Sequence, residues 1–336
     1  MKKYLNVKST LVCLVLVAIL AIISFLAIYT TPKNNYNEYA KKTTLFTMGD
    51  ATMSLDEALF IAKNRQAYYE EYYYTHGTSF SWDIPVEQGK TYEDIILEES
   101  LLYAKQVFIF SEYAKANGIT LNETETKTVT ASVNSFLSSS SSKLIKVTNA
   151  TEDLVTRVYT RTALHDKVCD QILAGKDLTI NEEDARNCLV GIVEINPQYF
   201  DSPERIAQKI FDRVNQGEVI GGVASVYDAN VEKINVNKDS EIIKEIKDFC
   251  LALKDGQCKM TEINGVYFVV YCYLEDDELV TANAKEVLLE EKKNSYLTEF
   301  LENIEKSTPA SINDEAWATV NFDDPIYTKN DIVQSK

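Results

Sequence analysis

Histidine is almost absent: 336 residues hold two, His76 and His165. That leaves little for imidazole acid–base catalysis or a histidine-ligated zinc. No Cys-x-x-Cys occurs, and no histidine is read as the neighbour of a cysteine. Neither a metal site nor a cofactor is therefore expected. Positive charge is also scarce, with 34 Lys and Arg against 51 Asp and Glu, a net charge of −17. Phosphate backbones are held by cations, so a general nucleic-acid binder is excluded. No internal repeat recurs at a fixed period. Hydrophobic residues at 45% and charged residues at 25% are ordinary globular values, which excludes global disorder, collagen and a polytopic membrane protein. The length suits about two domains.

The one long apolar run, residues 11–29, reads LVCLVLVAILAIISFLAIY. Nineteen helical residues at 1.5 Å each span a hydrocarbon core of about 30 Å. Lys2, Lys3 and Lys8 precede it and residues 1–30 hold no acid. The positive-inside rule then predicts a cytoplasmic N-terminus, a single pass through the cell membrane and an extracellular bulk. A cleaved signal peptide is the alternative. Its hydrophobic stretch would be shorter and would end in small residues, whereas this one ends Ala27-Ile28-Tyr29. The retained anchor is the favoured reading.

The cysteines are Cys13, Cys169, Cys188, Cys250, Cys258 and Cys272. Five lie beyond the apolar run, an odd number in no recognised framework. They read as small buried apolar residues, with Cys258–Cys272 or Cys250–Cys258 pairing as the alternatives.

Residues 31–53 read as a polar, irregular tether. Residues 54–176 read as helical. Ser54 with Glu57 has the spacing of a capping box, Thr91 opens a helix that is apolar around much of its circumference, and Asn122 and Asn149 each precede a Glu by three. The run Ser138–Ser142 predicts a loop. The pattern changes near Ile180. Residues 188–195 predict a buried strand, Ser202-Pro203-Glu204 a helix start, and Asn264-Gly265 the turn of a hairpin. Residues 219–236 read as irregular. The predicted order β-α-α-β-β fits a small α+β domain over 181–275. A C-terminal helix from about residue 281, and a tail to 322, are expected to return to the helical block. The fold class is thus α+β: an N-terminal transmembrane helix, a mainly helical domain completed by a C-terminal helix, and an inserted α+β domain.

Three phrases carry a resemblance. LEESLLYAKQVFIFSEYAKANGITLNETE (97–125) is similar to the second helix of the PrsA/SurA family of extracytoplasmic foldases. INEEDARNCLVGIVEI and SPERIAQKIFDRVNQG (180–217) are similar to the opening of that family's parvulin-type prolyl isomerase domain, and FCLALKDGQCKMTEINGVYFVVYCYLE (249–275) to its end. The resemblance covers about residues 50–310. It implies a helical chaperone module, a parvulin-like insert, and unfolded or secreted polypeptides as partners. Parvulins usually carry a histidine in the first strand and another in the last. Here Cys188, Leu189 and Gly191 occupy the first positions, and Tyr267 stands in the second. Cys188 and Tyr267 are thus the catalytic candidates, with isomerase activity weak or lost. An active isomerase, and a scaffold with one fixed partner, are the rival readings.

Five tyrosines at 68, 69, 72, 73 and 74 cannot share one helical face. Exposed aromatic surface suits polypeptide binding. Tyr68, Tyr69, Tyr72, Tyr73 and Trp82 are the substrate-binding candidates, set against packing in a core. His76 and His165 are expected on helix surfaces or at caps.

Overall fold

The structure, a computed structural model, describes residues 33–87, 89–328 and 331. The anchor expected over 11–29 lies outside them. Among the described residues no helix is long and apolar enough to cross a membrane. The chain divides into two compact units: one runs to Gly175 and resumes at Leu297, and the other is Lys176–Tyr296.

In the first unit, α1 (Lys33–Lys42) leads into β1 (Thr44–Met48) and β2 (Ala51–Ser54). The stretch expected as a tether is therefore ordered. Leu45, Phe46 and Met53 are buried: the register of β1 shifts between Thr44 and Phe46, two successive residues enter the core, and the strand gains a second partner from the far end of the chain. That partner is β9 (Ser311–Ile312), in a sheet of order β2-β1-β9.

Four long helices supply the core: α2 (Leu55–Thr75), α3 (Tyr92–Ala116), α4 (Glu123–Ser139) and α6 (Glu152–Leu173), with the short α5 (Ser142–Thr148) between the last two. Their starts are chemical. The carboxylates of Glu57, Asp94 and Glu125 accept from the backbone N–H of Ser54, Thr91 and Asn122 respectively, each satisfying an orphan donor. Val107, Phe108, Ile109 and Phe110 are all fully buried on α3, as a helix apolar all round requires. Asn149 is not the cap of α6. Thr151 takes that place, accepting from Leu154 N–H at 3.2 Å. Asn149 instead closes α5 with φ +49°, a conformation asparagine tolerates. A hairpin of β3 (Pro85–Glu87) and β4 (Lys90–Thr91) precedes α3.

The second unit opens with a single turn, α7 (Glu182–Ala185), then β5 (Cys188–Ile195), α8 (Pro203–Asn215) and α9 (Ile220–Ser225). It closes with β6 (Glu232–Val236), α10 (Lys244–Leu251), β7 (Cys258–Ile263) and β8 (Val266–Leu274). The four strands form an antiparallel sheet of order β6-β5-β8-β7. The stretch read as irregular, 219–236, therefore holds a helical turn and an edge strand. β6 alternates polar and apolar residues too briefly to announce itself. Asn264 and Gly265 both have positive φ, the geometry of the expected hairpin turn. Val193, Ile195, Ala207 and Ile210 form a core on the α8 face, while Cys188, Val190, Ile246 and Cys250 form another on the α10 face.

Helix α11 (Glu278–Ser307) contains the boundary between the units, at Tyr296 and Leu297. Only its last eleven residues, from Leu297, thus belong with the helical block. The tail then forms β9 and α12 (Asp314–Trp317) and buries Val320, Phe322 and Ile326.

Candidate functional site

The two catalytic candidates do not meet. Cys188 begins β5, is fully buried on the α10 face, and donates from Sγ to the Glu275 carbonyl at 3.0 Å. Burial pushes its thiol up from the ordinary value. Tyr267 pairs with Ile195 at the other end of β5 and packs with the α8 core. Seven residue steps along the strand lead from 188 to 195, roughly 23 Å at 3.3 Å each. Opposite faces and opposite ends rule out a joint constellation. Nor do the considered disulfides form. Cys258 lies on the α8 face, Cys250 and Cys272 on the α10 face, and all five described cysteines are free.

The α10 face carries a groove of about 930 Å³. Period-two alternation on the strands builds its floor. Ile192 and Glu194 point the same way from β5, Glu232 and Ile234 from β6, and Phe268 from β8, with Ile192 directly opposite Glu232 and Glu194 opposite Phe268. The start of α10 adds Ile242, Ile243 and Ile246, and the β5–α8 loop adds Tyr199 and Phe200. Tyr199 is 74% exposed and Ile243 51%. Glu194, Asp228, Glu232 and Glu241 also line the groove. No histidine, cysteine, lysine or arginine does. An apolar floor with carboxylates at its margin can hold a chain segment. Its lining holds no imidazole and no thiol. Sequence reasoning missed this groove because Ile242–Ile243 and the edge strand β6 were not read as parts of one surface.

In the first unit the aromatic candidates separate by exposure. Tyr68 is 63% exposed and Tyr72 is 47% exposed, with their rings stacked at 6.3 Å. Tyr69, Tyr73 and Trp82 are half-buried. Tyr73 stacks on Phe80 at 4.5 Å, Tyr69 meets Tyr92 edge-on at 5.6 Å, and Trp82 rests on Phe322 at 4.6 Å. The Trp82 indole donates to Glu70 Oε1 at 3.0 Å. Burial, reinforced by Tyr73 and Tyr69, pushes the Tyr92 hydroxyl up. Tyr68 and Tyr72 therefore offer surface, while the other three belong to a cluster that joins α2, the loop before β3, the start of α3 and the tail.

His165 is buried rather than on a helix surface. Its ring stacks on Phe110 at 5.4 Å, Nδ1 lies 2.8 Å from Asp166 Oδ1, and Nε2 lies 3.5 Å from Cys169 Sγ. The i, i+4 spacing brings the two together on α6, a neighbour relation that was legible in the sequence. Burial, then Asp166 and Asp170, push the Cys169 thiol up to about 12, so the thiolate a nucleophile needs is disfavoured. His76 is exposed at the end of α2, with Nδ1 2.7 Å from the Tyr72 carbonyl.

No protein-family profile matches the chain, and no curated protein matches it. Among solved structures it is similar to one from work on two structurally related SurA-like chaperones of Campylobacter jejuni, at 8% identity and a TM-score of 0.29. That likeness covers 81% of this chain and 99% of the other. It is also similar to the foldase protein PrsA of Lactococcus lactis, at 13% identity and a TM-score of 0.31, covering 83% and 97%. The peptidylprolyl isomerase PrsA of Bacillus cereus gives 13% identity and a TM-score of 0.24, covering 82% and 96%.

Proposed function

We propose that this chain is a membrane-anchored extracellular chaperone or foldase that binds unfolded or Xaa-Pro-containing polypeptides, with prolyl isomerase activity weak or lost. One observation carries the reading: the groove on the α10 face has an isoleucine and phenylalanine floor, two large exposed apolar residues at its lip, and no histidine or cysteine in its lining. Catalysed isomerisation needs groups that stabilise the twisted amide better than the planar one, against a barrier of about 18–20 kcal/mol. Cys188 and Tyr267 stand outside the lining. Holding an extended segment needs only the apolar floor. Exposed Tyr68 and Tyr72 supply a second contact surface. The anchor is the 11–29 segment, with its lysines ahead and the acidic bulk after it.

Aggregation assays with several unrelated unfolded proteins test this, alongside an isomerisation assay on a proline tetrapeptide. The expected result is suppression for all clients, weakened by Ile243→Asp, with the tetrapeptide isomerising at or near its uncatalysed rate. Protection of a single client indicates a scaffold instead. Strong acceleration abolished by Tyr267→Phe indicates an active isomerase. Either outcome overturns the reading.

A further inference from the structure

The groove's carboxylates are left without cations. Asp228, Glu232 and Glu241 make no ion pair among the described residues, and Glu194 accepts only from Asn196 Nδ2, at 3.3 Å. Lysines close by in sequence are engaged elsewhere. Lys233 follows Glu232, but its ammonium lies 4.7 Å from the centre of the Tyr273 ring, which belongs to the α8-face core. Lys238 pairs with Asp184 and Lys244 with Asp248, while Lys247 donates to the carbonyls of Lys238 and Ser240. Elsewhere in this unit carboxylates do find cations: Glu218 has Arg213, Glu182 has Lys285 and Glu275 has Lys254. The four carboxylates of the lining thus stand around an apolar floor with no lysine or arginine among the lining residues.

We infer that the groove selects polypeptide segments in which a large apolar residue is flanked by lysine or arginine. This rests on the reading of the groove as a polypeptide site and adds its substrate class. The apolar anchor takes the Ile192–Ile246–Phe268 floor, and the flanking cations meet Glu232 and Glu241 across the opening. Carboxylates of one sign along a low-dielectric wall focus their field and raise the local concentration of cations. The selection is therefore electrostatic and weakens as salt screens it.

The test uses the full chain and three fluorescent peptides that share one apolar core and differ only in lysine, serine or aspartate flanks. Fluorescence anisotropy is expected to show the lysine-flanked peptide binding about tenfold tighter than the serine-flanked one, and the aspartate-flanked one weakest. High salt should collapse the difference. In Glu232→Gln/Glu241→Gln the ratio of lysine-flanked to serine-flanked affinity should fall toward one. Equal binding of all three peptides, lost together in Ile243→Asp, overturns charge selection and leaves the polypeptide site standing. So does a lysine preference undiminished in the double variant, which places its source elsewhere on the acidic chain. Binding of no peptide, or binding indifferent to Ile243→Asp, removes the site itself.

Discussion

At the scale of single residues, the most consequential carboxylate is Glu70. It is buried on α2 and gathers four donors. Oε1 accepts from Gln66 Nε2 at 2.8 Å and from the Trp82 indole, and Oε2 accepts from the backbone N–H groups of Ile326 and Tyr327 at 2.6 and 2.7 Å. One side chain thereby fixes the loop before β3 and the tail to the same helix. Glu70→Ala leaves several buried donors without a partner, at a cost on the order of 3 kcal/mol. Urea unfolding followed by tryptophan fluorescence reads this. A change under half a kcal/mol would show that the clamp is not needed. Two turns earlier, Lys63 donates to Gln66 Oε1 at 2.9 Å and to the Asn321 carbonyl at 2.6 Å. Burial lowers its pKa to about 8, partly offset by Glu70, Asp324, Glu93 and Asp323. The unfolded chain keeps this proton up to the ordinary lysine range, so between pH 8 and 10.5 it binds more protons than the folded one. Stability from this site is therefore gained as pH rises through that window and lost as pH falls through 8. Buried thiols and tyrosines oppose it above pH 9, so the measurement is the difference between wild type and Lys63→Met. That difference should move in favour of the wild type by on the order of 1 kcal/mol between pH 8 and 9.5. A flat difference would show that the lysine is not buried in its charged form.

At the scale of elements, the sheet of the second unit allows little slack. A Cβ on Gly191 would stand 2.9 Å from Val231 Cγ1 and 3.0 Å from Tyr273 Cε2, so β5 can pass there only as glycine. Gly191→Ala should cost about 1–3 kcal/mol through overpacking, visible as a lowered midpoint of thermal unfolding. An unchanged midpoint would mean the neighbours give way freely. The same sheet hides its thiols. Burial pushes Cys250 and Cys258 up to about 12 and Cys272 to about 11. Iodoacetamide at pH 8 should therefore leave Cys188, Cys250, Cys258 and Cys272 unmodified by mass spectrometry until denaturant is added, and rapid native labelling of any of them would contradict the packing. Elements with strong local signals were legible beforehand. The box at Asn122 and Glu125, the apolar circumference of α3 and the Asn264-Gly265 turn are all set by residues within a few positions of one another. What escaped were elements made by distant partners. β1 looks polar and irregular until β9, more than 260 residues later, completes its pairing. β6 is five residues long at an edge. Asn149 and Thr151 offer rival caps two residues apart, and only the packed structure chooses.

At the scale of the whole molecule, the chain leaves the first unit at Gly175 and re-enters it at Leu297, so the helical block is completed by sequence on both sides of an inserted sheet domain. Two histidines and 34 cations are counts over the whole chain and say nothing of which side chains meet in one groove. The location of the groove was not legible, because its floor takes one or two residues each from β5, β6, β8 and α10, and no short window contains them. Nor could the separation of Cys188 from Tyr267 be read before the strand register was known. A groove that receives unfolded chain should lose solvent exchange when a client binds. Amide hydrogen exchange by mass spectrometry, on the full chain with and without a permanently unfolded client, addresses it directly. Slowed exchange is expected over residues 192–200, 228–234 and 241–246. No change there, with slowing confined to residues 68–82 or absent altogether, would contradict it.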